Sequence, residues 1–541
     1  RFLKSEFDSQ GAHSTRQSDQ SDCLFLYFVT LFRNNLSSVS IFVIIKIGIN
    51  YVHRQKGYFM IEEEKKSNAK KMLWPTLAMM AFSTVWGFGN VVNGYVYFDG
   101  TKVIFSWILM FLLYFVPYAL MVGELGATFK NANGGVSSWV NATMGAKWAY
   151  YAGWTYWACH VVYISSKGTG GLRAMAWGIF GNTKWYDGLP TAWTQFATLV
   201  VFLFFCWVTT KGIPVLKSLA TIAGSSMFIM SILFIIMMFA APAINPHAGY
   251  YSINFNWKSL MPTFNLKYLT SLSILVFAVG GCEKISPYVN KVKNPTKNFP
   301  KAMMALAIMV MVSAILGTFA MALMFDPKVV NNNLNEYISN GAYMAFQRLG
   351  EYYHVGGLFM YIYSWCNVIG QFSTLVISID APLRMLLGSK EAKNFIPKKL
   401  LKINKHGAYI NGIWMVVILS GGLIAAQALL PDAQAVMAQL VKLNSTTMPM
   451  RYLWVFAAYI ALRKQQKKFD TSYQMTKNQG LAYTAGIWCF IVTAACCILG
   501  IYSPDPFTLF LNIITPIILI VLGLILPAIK KREDGTNPLM K

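Results

Sequence analysis

Acidic side chains are scarce in this chain: 541 residues hold 21 Asp and Glu against 46 Lys and Arg, and charged residues of both signs make up only 12%. A water-soluble domain carries about 25% charged residues, so too few are present to cover a soluble surface and a soluble enzyme is excluded. Histidine is also rare and scattered, with six residues at His13, His53, His160, His247, His354 and His406. The eight cysteines form no CxxC pair and no Cys/His cluster at metal-ligand spacing, so no metal site and no cofactor are expected. Seven of the eight lie in apolar segments, all but Cys23, and read as small packing residues. The acid/base or metal constellation that a membrane enzyme would gather at one bilayer face is missing.

What is abundant is apolar sequence: 55% hydrophobic, 15% aromatic, mean hydropathy +0.45. The net charge of +25 would point to nucleic acid in a soluble protein. Here the cations sit in short clusters between long apolar runs, so membrane topology is the reading and no nucleic-acid partner is expected.

Residues 1–59 read apart from the rest. Their polar leader (1–22) spoils a signal peptide, one apolar stretch is too short to span, and the next is interrupted by Lys46. Met60 opens MIEEEKKSNAKKMLWP, and Lys56-Gly57 must be encoded by a purine-rich stretch resembling a bacterial ribosome-binding site. Translation is therefore expected to start at Met60, with 1–59 a non-native upstream extension; the alternative is a disordered leader.

Runs long enough to span recur near 73–98, 103–127, 148–180, 193–210, 218–242, 268–289, 302–325, 356–383, 409–430, 433–462, 481–502 and 507–529. The expected fold class is an all-α polytopic membrane protein of 12 transmembrane helices. With the N-terminus inside, alternate loops hold 29 Lys and Arg on the inner side against 6 on the outer, which predicts cytoplasmic N- and C-termini.

Two spans carry glycine-rich interruptions, Gly87-Phe88-Gly89-Asn90 in the first and Phe277-Ala278-Val279-Gly280-Gly281-Cys282-Glu283 in the sixth, with Gly87 and Gly280 193 positions apart. Glycine costs about 1 kcal/mol against alanine in a helix interior, so such clusters predict unwinding at mid-depth. Unwound backbone in a bilayer persists only where it is packed in protein or lines a cavity, and matched breaks in two halves point to a transport site. Amides at a half-helix N-terminus suit a carboxylate and free carbonyls suit an ammonium, so the substrate predicted is an amino acid.

From Leu73 to Lys531 the chain resembles the amino acid/polyamine/organocation permeases, most closely their bacterial glutamate/GABA antiporter branch. The resemblance rests on Gly87-Phe88-Gly89, Gly123-Glu124-Leu125-Gly126, the stretch 133–140, Gly145-Ala146-Lys147-Trp148, Gly281-Cys282-Glu283 with Val292-Lys293-Asn294-Pro295, and 395–399 with 404–407. It implies a five-plus-five inverted repeat with broken helices 1 and 6 plus two extra helices. A transporter domain would then cover 60–541, with 73–242 the first repeat, 268–462 the second and 481–529 helices 11 and 12. It further implies alternating access in the bacterial cytoplasmic membrane, as amino acid exchange or proton-coupled uptake, by a monomer or homodimer. Phe277 falls where relatives place an aromatic gate and Glu283 where they place a gating or coupling acid. The family's acid before Asn-Pro is replaced by Asn290-Lys291, and the tail after Lys530 is too short for a C-terminal plug. An amino acid sensor with a transporter fold, or a permease for another amine, is the competing function.

The substrate-binding residues expected are Gly87, Phe88, Gly89, Asn90, His160, Phe277, Gly280, Gly281 and Cys282. Glu283, Lys167 and Lys442 are candidates for gating or proton coupling, since ionisable groups at membrane depth default to function; a structural hydrogen bond is the equal alternative for Glu283. Lys167 and Lys442 could instead meet a second substrate carboxylate or pair with intramembrane acids. Tyr156, His160, Tyr163 and Lys167 share one helical face, as do Asn367, Gln371, Thr374 and Ser378, and these stripes are expected to line the pathway. Asp380 with Arg384 reads as a structural i,i+4 pair. Ser373 and Thr374 offer oxygen ligands for sodium, without the dense acidic cluster that would argue for it.

Overall fold

A computed structural model describes residues 71–253, 256, 260–429 and 447–535. The chain divides into Arg1–Lys71 and Met72–Lys541, and the architecture below concerns the second unit. The expected start at Met60, Lys442 and most of the first half of the tenth span lie outside the described residues.

Every extended element described is a helix. The first span is two pieces, α1 (Trp74–Val85) and α2 (Phe88–Tyr97). α3 (Val103–Met110) runs through a π-helical turn at Phe111–Phe115 into α4 (Val116–Thr128). A short α5 (Val136–Met144) precedes α6 (Ala146–Phe180), followed by α7 (Thr191–Thr209) and α8 (Ile213–Ile244). α9 (Leu266–Val279) ends in the second break and continues as a 3-10 helix, Cys282–Lys291. Then come α10 (Pro295–Met324), α11 (Leu334–Tyr352), α12 (Leu358–Leu387) and α13 (Ile410–Leu429). A 3-10 turn, Met448–Arg451, leads into α14 (Tyr452–Lys464), followed by α15 (Gln479–Ile501), α16 (Pro506–Leu522) and α17 (Ile525–Asp534).

Among the described residues nine helices are long and apolar enough to cross a membrane. The two halves of the first span, 12 and 10 residues, are each too short alone, which is the direct consequence of the break between them. Side chains such as Ile236, Ile418 and Phe510 are more than half exposed and point away from the core, the pattern of helices that present an apolar outer face to lipid.

The helices pack in two groups. One joins the broken spans to α4 and α10; the other joins α6, α7, α12 and α13, and α8 touches both α1 and α12. The most extensive contact within the second group is α6 on α12, made possible by glycine: a Cβ at Gly153 would lie 2.7 Å from the Met385 carbonyl oxygen, and one at Gly171 would lie 2.3 Å from the Phe372 ring. Small residues bring backbones together in membranes, where no hydrophobic drive exists between helices.

Two corrections to the sequence reading follow. Lys284, Arg463 and Lys530, counted among the inner-loop cations, are buried at 2%, 0% and 5% exposure. A lysine count alone cannot tell a loop cation from one folded into the core. The segment 326–355, read as an outer loop, contains the amphipathic helix α11, which buries Tyr337, Gly341, Ala345, Phe346 and Leu349 at helical spacing.

Candidate substrate site at the paired helix breaks

The two breaks differ in construction. In the first, Trp86 (φ −126°, ψ 142°) and Gly87 (φ −147°, ψ 157°) are fully extended before α2 resumes at Phe88. In the second, Gly280 is extended and Gly281 takes φ +110°, a conformation that side chains rarely adopt, so this turn requires glycine. Gly280 is required for a different reason, because a Cβ there would lie 2.2 Å from the Tyr452 hydroxyl.

Asn90 ties the breaks together. Its side-chain amide donates to the Val85 carbonyl at the end of α1 (3.3 Å) and to the Ala278 carbonyl near the end of α9 (3.4 Å). Helix ends leave carbonyls unpaired, and one amide group here serves both. α12 supports the same place, where the Thr374 hydroxyl donates to the Ser83 carbonyl at 2.9 Å. The first-turn amides of α2, at Phe88 and Gly89, have no acceptor within their own helix and carry the positive end of its dipole.

Around the breaks lies a cavity of about 350 Å3 that reaches the exposed Ser339 on α11. Such a volume holds one small molecule. Of the expected site residues, Gly87, Gly89, Asn90, Tyr163, Lys167, Phe277, Gly280, Asn367, Gln371 and Thr374 line it. A Cβ at Gly89 would meet nothing within 4 Å, so this position faces open space.

Several expected residues sit elsewhere. Phe88 is buried in an aromatic cluster, with ring centroids 4.6 Å from Phe234 and 5.1 Å from Phe346. Gly281 and Cys282 lie behind the cavity wall, and Cys282 is fully buried. Glu283 accepts hydrogen bonds from the Tyr118 and Tyr156 hydroxyls and faces Arg451 Nε at 3.7 Å. His160 accepts from Arg451 through Nε2 (2.8 Å) and, in that tautomer, donates Nδ1–H to the Tyr156 carbonyl (2.7 Å); the assignment follows from the partners. Tyr156 and His160 stack beneath the cavity rather than lining it, at 5.2 Å between centroids. Ser378 accepts from Lys284 Nζ at 3.3 Å.

Residues that sequence reasoning did not place in the site include Trp86, Lys284, Arg173, Arg451 and Tyr452, all of which line the cavity. Four cations therefore face it, Lys167, Arg173, Lys284 and Arg451, and no Asp or Glu does among the described residues. Two have partners of opposite charge: Arg173 pairs with Asp187 at 3.0 Å, and Arg451 faces Glu283. The signal for Arg451 was the unusual basicity of the tenth span; Lys284 carried none, being one more lysine beside a charged loop.

Outside the cavity lining, a set of contacts ties α1 and the second break to neighbouring spans. Met72 and the strand-like residue Val292 form a parallel bridge, with Met72 N–H donating to the Lys291 carbonyl and Lys293 N–H to the Met72 carbonyl, both at 2.8 Å. Tyr288, on the 3-10 segment, donates to Asp380 at 2.7 Å, and Asp380 pairs with Arg384 at 2.6 Å, as the i,i+4 spacing predicted. Glu124 pairs with Arg463 at 2.6 Å and accepts from the Met475 amide at 2.8 Å.

Broken, matched helices around a small cavity in a multi-pass helical membrane protein are the architecture of a transporter class. The family comparison agrees: residues 73–534 match the model described as amino acid permease, and the chain belongs to that family. It is 43% identical over 488 residues to the aspartate/glutamate permease AcaP of Lactococcus lactis subsp. cremoris (strain MG1363), covering 86% of this chain and 97% of the relative. It is 24% identical over 472 residues to the inner membrane transporter YjeM of Escherichia coli (strain K12), covering 80% and 90%. It is 23% identical over 399 residues to the glutamate/gamma-aminobutyrate antiporter of Lactococcus lactis subsp. lactis (strain IL1403), covering 71% and 75%. The protein is an amino acid transporter, as the sequence motifs implied.

Proposed function

We propose that this permease carries acidic amino acids across the bacterial cytoplasmic membrane by alternating access. The observation that carries the reading is the charge of the cavity: four cations and no carboxylate among the described lining residues. A zwitterion needs one cationic and one anionic contact, so a wall of this sign favours a substrate with a second negative charge. The similarity to a permease for aspartate and glutamate supports the same class. The α-carboxylate would use the first-turn amides of α2, and the α-ammonium the carbonyls left at the ends of α1 and α9.

The two packing groups, one holding both broken spans, fit a five-plus-five inverted repeat (73–242 and 268–462) followed by helices 11 and 12 (481–529), twelve spans in all. The transporter domain is assigned to 60–541, and the unit Met72–Lys541 lies within it. With the N-terminus cytoplasmic, the Met72–Val292 bridge faces the cytoplasm and the cavity opens outward at Ser339. Glu283, held by two tyrosine hydroxyls beside Arg451, serves this arrangement as an anchor of the second break rather than a free proton carrier.

Counterflow tests this. In liposomes preloaded with unlabelled amino acids, purified protein should exchange labelled aspartate and glutamate, with neutral and basic amino acids below about one hundredth of that rate. Repeating the assay at two pH values and with or without internal substrate separates exchange from proton-linked uptake. Measurable binding without counterflow of any amino acid would replace transport by sensing.

A further inference from the structure

The four cavity cations are not equivalent. Arg173 is paired with Asp187, and Arg451 donates to His160 and the Tyr452 hydroxyl while its Nε, 3.7 Å from the Glu283 carboxylate, makes no hydrogen bond among the described residues. Lys284 and Lys167 have no carboxylate within ion-pair distance among the described residues. Lys284 is 2% exposed, immediately beyond the second break; among the described residues its Nζ donates only to the Ser378 hydroxyl, at 3.3 Å, and stands 5.1 Å from the centroid of the Tyr163 ring. Lys167 lies over the same ring at 4.6 Å.

A buried ammonium without a counterion destabilises the empty protein, because the lost hydration is not returned by one hydroxyl and a ring face. An anion entering the cavity offsets that cost, so the unpaired charge is a demand for one. Lysine also fits the task better than arginine: a compact charge with rotatable donors on a flexible stem can meet carboxylates of different reach, whereas a planar fork fixes one geometry.

We infer that Lys284, with Lys167 across the Tyr163 ring, forms the subsite for the side-chain carboxylate and that Lys284 is the residue by which the permease chooses acids over their amides. The inference rests on the acidic-substrate reading above. It assigns the α-carboxylate to the α2 amides and the second carboxylate to the lysines, leaving Arg451 to hold Glu283 and His160 in place.

The experiment measures uptake of labelled aspartate, glutamate, asparagine and glutamine into liposomes containing the full chain. For Lys284→Met, kcat/KM for the acids should fall about 100-fold while that for the amides is kept, so the acid-to-amide ratio collapses by the same factor. Lys284→Arg, which keeps the charge, should preserve the order of preference. In detergent, Lys284→Met should melt at or above the parent without ligand and lose the stabilisation that glutamate confers on the parent.

A Lys284→Met protein with the parent's acid-to-amide ratio overturns the inference and leaves the functional reading standing. So does a folded variant that loses acids and amides in equal proportion, since Lys284 would then serve transport without choosing the substrate. A variant that melts below the parent without ligand overturns it as well, because the charge would then be compensated. A parent that does not prefer acids to amides sinks the functional reading itself.

Discussion

At the scale of single residues, two glycines in matched motifs have opposite physical roles. Gly280 is packed against Tyr452, so any Cβ there collides with the ring, while Gly89 faces open cavity space. Gly280→Ala should therefore cost about 1–3 kcal/mol of stability through overpacking, seen as a lower melting midpoint in detergent. Gly89→Leu should fold with the parent's midpoint yet show no stabilisation by glutamate, because the side chain occupies the substrate's space. Equal midpoints for the two variants would contradict the packing difference. Both glycines were legible in the sequence as helix breakers; which one faces substrate was not, because that depends on Tyr452, 172 positions away from Gly280.

At the scale of elements, the helices around the site are held by buried polar pairs that cross between spans. Glu124 on α4 and Arg463 on α14 are both fully buried and 2.6 Å apart, with the Met475 amide and Tyr459 hydroxyl adding to the carboxylate. Removing one partner leaves a buried charge unpaired, which costs about 3–5 kcal/mol, whereas replacing both by apolar residues is far milder. Glu124→Leu and Arg463→Met should each lower the melting midpoint strongly, and the double variant should recover most of the loss. Additive losses would show that the pair is not coupled. The sequence places Glu124 inside the expected span 103–127 and matches Asp380 with Arg384, four residues apart on one helix. It had no means of pairing Glu124 with a residue 339 positions away. It also missed α11, although the helical spacing of Tyr337, Gly341, Ala345 and Phe346 was present, because hydropathy alone sorted that segment as loop.

At the scale of the whole molecule, the excess of cations on alternate loops predicts orientation. In a variant with the native cysteines replaced, a single cysteine at Lys184→Cys should react with an impermeant maleimide from outside intact cells. One at Lys398→Cys should react only after permeabilisation. The reverse pattern would invert the topology and, with it, the side on which the cavity opens. The burial of Lys284, Arg463 and Lys530 lowers the inner count by three without changing its sign, since loop cations on that side still far outnumber those on the other.

Composition and periodicity by themselves determined the class of this protein: too few charges for a soluble surface, apolar runs of spanning length, and paired glycine breaks that point to a transport site. These are local properties, decided by solvation and by what glycine does to a helix, and one chain suffices to read them. The tertiary structure alone decided the character of the site. It put Lys284 into the cavity wall, withdrew Glu283 and His160 into a network around Arg451, and moved Phe88 into an aromatic cluster. Whether a buried charge is paired or left for substrate depends on which distant side chain lies within about 4 Å of it, and packing of the spans sets that distance.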